Sequence, residues 1–232
     1  MDIQKFKPTE ISTVKTGTKL RGGSAFQQRI EQAQKESIPV ESLANRIVLA
    51  LDCSASMRGQ SIEILREAAD SFIEESILDG QTAIGIQSFP EGTLTPLSNE
   101  LFQLRMQVFG LQASGGTPMR RCLVTLPEKF SCTRVVLMSD GEPTDWSDWN
   151  TDLDEVLKPF LEFEIPIDTI HASRGDSGET ILRLIAEATG GIFIKFQDIK
   201  NLRTGLKYLS PQKRLMLTAG KVTIQGATEV KL

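Results

Sequence analysis

At 232 residues the chain exceeds a typical single domain yet stays within the size at which one α/β sheet buries a continuous core, so one domain with appendages is the simplest organisation. Hydrophobic residues at 40% and charged residues at 24% are ordinary globular composition and exclude a disordered or fibrous chain. The formal net charge of -4 lacks the basic surplus that phosphate binding shows, so no nucleic-acid partner is expected.

Residues Met1 to Glu10 alternate charged and apolar side chains without a signal-peptide core, and no apolar run is long enough to cross a bilayer. These features predict a cytoplasmic protein with no membrane contact. Cys53, Cys122 and Cys132 are few, odd in number and without a C-x-x-C pair, which suits reduced buried thiols rather than a disulfide framework or a zinc site. The first 44 residues form a polar, Lys- and Thr-rich extension broken at Gly22-Gly23. Within it, Ser24 to Glu36 suits a short helix displaying Phe26, Ile30 and Ala33.

From Arg46 the pattern changes to short apolar runs alternating with amphipathic stretches, the signature of parallel strands joined by helices. Arg46 to Leu51 is apolar at consecutive positions, as a central strand covered on both faces requires, and it ends at Asp52. Gln60 to Asp79 carries Ile62, Leu65, Ala69, Phe72, Ile73 and Ile77 on one helical stripe, stopped by Asp79-Gly80. Ala83 to Phe89 is the next strand, and Thr93 to Leu97 a short edge strand. A helix over Leu101 to Val108 leads to the turn Ser114-Gly115-Gly116, and another begins near Pro118, whose ring suits a first helical turn. Arg134 to Met138 is a second fully apolar strand, followed by Asp140. Thr151 to Phe163, Ile165 to Ile170, Glu179 to Thr189, Ile192 to Phe196 and Asp198 to Leu209 continue as helix, strand, helix, strand, helix. In the tail, 210–232, Lys221 to Gln225 suits a strand or hairpin arm.

In open α/β sheets ligands bind beyond the carboxyl ends of the strands. Two polar clusters sit there: Asp52-Cys53-Ser54-Ala55-Ser56 and Ser139-Asp140-Gly141, with Thr117 between a double-glycine turn and a helix start. Asp, Ser and Thr offer hard oxygens, which suit magnesium, manganese or calcium. Alternate residues of D-x-S-x-S project to one side, so Asp52, Ser54 and Ser56 face a single ion, and Gly115-Gly116 lets the backbone bring Thr117 close. Two carboxylates balance a dication and leave it electrophilic toward an outside carboxylate.

The stretches LALDCSASM, SGGTP and VVLMSDGEPTD together resemble the metal-ion-dependent adhesion site of von Willebrand factor type A domains, over roughly Asn45 to Leu209. The resemblance implies a doubly wound, mostly parallel sheet with helices on both faces and one short antiparallel edge strand. It further implies that Ser54 and Ser56 ligate magnesium directly, that Asp52 and Asp140 do so directly or through water, and that Thr117 ligates directly in the high-affinity arrangement and can move in or out. The open position then takes a Glu or Asp from a partner protein. Free-standing bacterial members work beside AAA-type ATPases, or with kinases and phosphatases in stress and tellurium-resistance systems, so an adaptor or assembly factor without enzymatic activity is expected by analogy.

Other readings compete at particular residues. A lone Asp52 at a strand end serves equally well as a helix cap. The acidic loop after Asp140 offers Glu142, Asp145 and Trp146 as partner contacts, because aromatic residues are enriched at binding hot spots, while Trp146 and Trp149 are as well suited to packing on the next helix. Gly175-Asp176-Ser177-Gly178, downstream of His171, imitates a serine-hydrolase motif without the converging base and oxyanion hole. Ser210 and Lys213 match S-x-x-K by chance. Ser54 stands where a haloacid-dehalogenase-type phosphatase needs a second acid, and no phosphate-cradling glycine loop precedes a Lys-Ser or Lys-Thr pair. The alternative function, a magnesium-dependent phosphoester hydrolase, requires Asp52 or Asp140 to leave the ligand set and act as base or nucleophile.

Overall fold

The computed structural model describes residues 39–232 apart from 91, 93, 173–177, 197, 220–223, 225, 226, 228 and 232. The helix expected over Ser24 to Glu36, the Gly175 to Ser177 motif and most of Lys221 to Gln225 lie outside the described residues. The described chain forms one seven-stranded sheet of β1 (Asn45–Asp52), β2 (Thr82–Phe89), β3 (Leu94–Ser98), β4 (Arg134–Ser139), β5 (Ile167–Ala172), β6 (Phe193–Phe196) and β7 (Glu229–Lys231). The strand order is β3-β2-β1-β4-β5-β6-β7. Neighbours from β2 through β6 pair in parallel, and β3 and β7 pair antiparallel at the two edges. The fold is therefore the expected doubly wound α/β sheet, with a second antiparallel edge strand beyond the one anticipated. A three-residue strand such as β7 is too short to leave an alternation in sequence.

Apolar runs become central strands because both faces are covered. Ile47, Leu49 and Leu51 of β1 pack with Ile62, Leu65, Phe72 and Ile73 of α1 (Gln60–Ile77), and with Leu104 and Val108 of α2 (Leu101–Gly110). The intervening Val48 and Ala50 face the other layer, formed by α3 (Met119–Val124), α4 (Leu126–Lys129), α5 (Trp149–Glu162) and α6 (Glu179–Thr189). Each fully buried aliphatic side chain contributes about 1.5–3 kcal/mol of transfer free energy, so both layers are held by the same alternation.

Element boundaries differ in detail. The edge strand is shifted by one residue from the expected Thr93 to Leu97, and Thr93 itself lies outside the described residues. Pro118 is the residue before α3 rather than in its first turn, with ψ at 66°. The single helix expected over Asp198 to Leu209 is a 3-10 turn, Ile199–Asn201, followed by α7 (Leu202–Tyr208). The Asp198 side chain accepts from Lys200 N and starts the tighter turn. The tail adds α8 (Pro211–Thr218) before β7. Among the described residues no helix is long and apolar enough to cross a membrane.

The chain leaves β1 toward β2 on one side, while β4 pairs on its other side. The strand order therefore reverses between β1 and β4, and their carboxyl ends open the crevice in which such sheets bind ligands.

Candidate metal centre

β1 ends on Asp52, and the backbone then stays extended at Ser54 (φ -64°, ψ 171°) before one 3-10 turn, Ala55–Met57. Met57 is fully buried and anchors that turn, while Gly59, with φ at 75°, redirects the chain into α1. The Asp52 side chain closes the bend: its Oδ1 accepts from Ser54 N at 2.8 Å. The hydroxyls of Ser54 and Ser56 lie 2.8 Å apart, and Ser56 Oγ donates to Asp140 Oδ1 at 3.0 Å. Strand register sets Leu51 beside Met138, which brings Ser139 next to Asp52, and Ser139 Oγ donates to Asp52 Oδ2 at 2.5 Å. Four of the five expected metal-site residues thus form one connected chain of oxygens across the β1–β4 gap.

Thr117 reaches the same rim through its backbone. Ser114 N donates to Cys53 O at 2.8 Å and Ala55 N donates to Gly115 O at 2.9 Å, so the glycine turn is strapped to the D-x-S-x-S loop. Gly115 has φ at 62°, a left-handed conformation, and an added Cβ would lie 2.8 Å from Pro90 Cγ. On its other side Thr117 N donates to Thr144 Oγ1 at 3.0 Å, and Thr144 N donates to Thr117 O at 2.9 Å. A side chain at Gly116 would press on that same Thr144 hydroxyl.

Electrostatics make this rim unusual. Asp52 is fully buried, and burial pushes its carboxyl from the ordinary 3.8 up to about 6, against the hydrogen bonds from Ser139 and Ser54 and with a further push from the Asp140 charge. Burial also raises Asp140, against the Ser56 hydrogen bond, a backbone hydrogen bond and the charge of His171. Among the described residues no Lys or Arg forms an ion pair with either carboxylate. No group of three or more His, Cys, Asp or Glu gathers as a metal cage among the described residues, and the donors that the rim offers are two carboxylates and neighbouring hydroxyls. That all-oxygen set fits a hard dication and suits neither zinc nor copper.

The expected partner contacts divide. Glu142 is exposed on the rim. Asp145 is committed to local structure, its Oδ1 accepting from Arg120 N at 3.1 Å and its Oδ2 from Arg121 N at 2.8 Å, which caps α3. Trp146 is half-buried and packs against the core layer beneath α3 to α6. Ser139 and Thr144 are the residues that sequence reading missed. Ser139 stood beside Asp140 in a segment already singled out, but its role depends on the alignment of β1 with β4. Among the described residues the three cysteines form no disulfide and all are buried, and Cys53 packs into the core as expected.

No family model matches the sequence, and no curated protein matches it. Solved structures do. A von Willebrand factor type A protein from Catenulispora acidiphila is similar at 20% identity with a TM-score of 0.62, over 73% of this chain and 42% of that one. The von Willebrand factor domain of the type V pili tip protein Mfa5 from Porphyromonas gingivalis matches at 13% identity and a TM-score of 0.61, over 78% of this chain and 99% of that one. Proximal thread matrix protein 1 from the mussel byssus matches at 18% identity and a TM-score of 0.60, over 72% and 47% respectively. The chain thus spans less than half the length of the first and third of these proteins and nearly all of the second. The fold is that of von Willebrand factor type A domains.

Proposed function

We propose that this chain is a metal-dependent protein-binding module whose rim captures an acidic side chain of a partner protein. The observation that carries the reading is the connected hydrogen-bonded set of Asp52, Ser54, Ser56 and Asp140, which gathers two partly or wholly buried carboxylates with no Lys or Arg paired to either among the described residues. Ser54, Ser56 and Thr117 hold magnesium, or manganese or calcium in its place, and Asp52 and Asp140 supply the balancing charge. Bound there, the ion supplies a Lewis-acidic position for a partner's Glu or Asp. Ser139 and the Ser54 amide fix the Asp52 carboxylate, while the strap from Ser114 and Gly115 holds the Thr117 loop in register with the D-x-S-x-S loop.

The same hydrogen bonds favour a holding role over a hydrolytic one. Both Asp52 oxygens are engaged, by Ser54 N and Ser139 Oγ, so the carboxylate is not poised as a nucleophile toward a phosphoester. Intracellular work as an adaptor or assembly factor, beside an AAA-type ATPase or a kinase and phosphatase pair in a bacterial stress response, is the setting proposed by analogy with the family.

Calorimetric titration of the full chain with magnesium and manganese tests the reading. Wild type should take up one ion, and Ser54→Ala should bind at least about tenfold more weakly while keeping its fold by circular dichroism. Absence of uptake by wild type at millimolar metal would overturn it. Turnover of a phosphoester that is lost in Asp140→Ala would favour the hydrolase instead.

A further inference from the structure

Beside the rim, on the side of β2, lies a cavity of about 270 Å³ whose walls include Gln87, Pro90, Pro118, Arg121, Thr125 and Lys129. Two of these walls are continuous with the metal centre. Pro90 is the proline against which Gly115 packs, and Pro118 directly follows Thr117. The strand alternation that turns Ile84 and Ile86 toward α1 turns Gln87 and Phe89 toward α3, which places the Gln87 side chain in this cavity.

The cavity has polar groups left to satisfy. Gln87 is 3% exposed, and its Nε2 donates to Ser88 O at 3.0 Å. Its buried Oε1 has no hydrogen-bond partner among the described residues. An acceptor in that position costs free energy until an N–H reaches it. Arg121 and Lys129 are exposed at the mouth, and among the described residues neither takes part in an ion pair. The nearby Asp145 accepts from the amides of Arg120 and Arg121 and forms no ion pair with the Arg121 or Lys129 side chain among the described residues.

We propose that this cavity is a second subsite of the partner, taking a further carboxylate of the same extended acidic segment whose first carboxylate is captured at the metal. The proposal rests on the metal-dependent reading above and names the partner's chemistry. Arg121 and Lys129 receive the second carboxylate as exposed charge partners. A turn of the buried Gln87 amide toward the cavity lets its Oε1 accept a backbone N–H of the segment, a donor that a free inorganic anion does not carry, and this favours a peptide as occupant. Because an extended chain advances about 3.3 Å per residue, two acids a few positions apart span neighbouring sites along one rim.

The test uses the uniformly 15N-labelled full chain in excess magnesium and two blocked peptides. One has two glutamates separated by two alanines, and the other has the second glutamate replaced by glutamine. The diacid should bind about five-fold more tightly, as two exposed charge pairs allow, and should shift the amides of Gln87, Arg121 and Thr125, which the monoacid leaves in place. In the double variant Arg121→Gln, Lys129→Gln the two peptides should bind equally, at the wild-type monoacid affinity. Equal binding of both peptides to wild type, with shifts confined to 52–56 and 114–117, would overturn the subsite and leave the metal reading standing. Binding of neither peptide, with or without magnesium, would remove both.

Discussion

Two fully buried aspartates sit at opposite ends of the same sheet and are treated in opposite ways. At the amino end, Asp168 of β5 accepts from Arg134 Nη1 at 3.0 Å, from Arg214 Nε at 2.8 Å and Nη2 at 3.1 Å, and from Ile192 N at 2.8 Å. At the carboxyl end, the donors to Asp52 among the described residues are neutral, Ser54 N and Ser139 Oγ. Charge at the first end is compensated within the chain, and the carboxylate there ties α8 to the sheet. At the second end no Lys or Arg among the described residues pairs with the carboxylate, the arrangement that the proposed metal-binding role requires.

The largest effect should come from breaking the compensated end. Asp168→Ala leaves Arg134, itself almost fully buried, without its partner and should cost about 3–5 kcal/mol by urea denaturation, with little change in magnesium affinity once folded. A smaller loss than the one produced by altering the rim would reverse the contrast.

The receptive end should respond to pH with the opposite character. Asp52 titrates near 6 in the folded chain against 3.8 ordinarily, so its contribution is intact below about pH 4 and is lost as pH rises through 6. Burying the bare charge then costs about 3 kcal/mol. In EDTA, wild type should lose stability relative to Asp52→Asn between about pH 4 and pH 7, and saturating magnesium should restore it at the higher pH. Parallel denaturation curves for the two proteins across that range would break the comparison.

The smallest effect sharpens the role of the strap. Gly115→Ala forces a side chain into a left-handed conformation against Pro90 and should lower stability by about 1–2 kcal/mol in a thermal melt. It should also weaken magnesium binding, because Gly115 O is the acceptor for Ala55 N.

Much of this organisation was legible in the order of residues. RIVLAL and RVVLM announce buried parallel strands because consecutive apolar residues are tolerated only where both faces are covered. The acids placed just after them, Asp52 and Asp140, fall at the carboxyl ends of those strands, where open sheets of this kind bind ligands. What sequence could not show is which neighbour each polar group meets. Asp145 and Trp146 share an acidic, aromatic loop that looks like a contact surface, yet one caps α3 and the other packs on the core. Ser139 and Thr144 act across strands and loops far apart in the chain, through alignments that no local periodicity records. The Gln87 cavity is hidden likewise, since a polar residue in an apolar strand reads as an interruption until the helix opposite it is in place.

Asp52 and Ser139 terminate adjacent strands at the middle of a sheet, and both strands run toward the rim. Tension applied to a partner held there would pull β1 and β4 lengthwise, loading the hydrogen bonds to their neighbours in shear and all together. An attachment at the edge strands β3 or β7 would instead peel those bonds away one after another. A grip at the centre of the sheet is thus anchored where the fold resists pulling best.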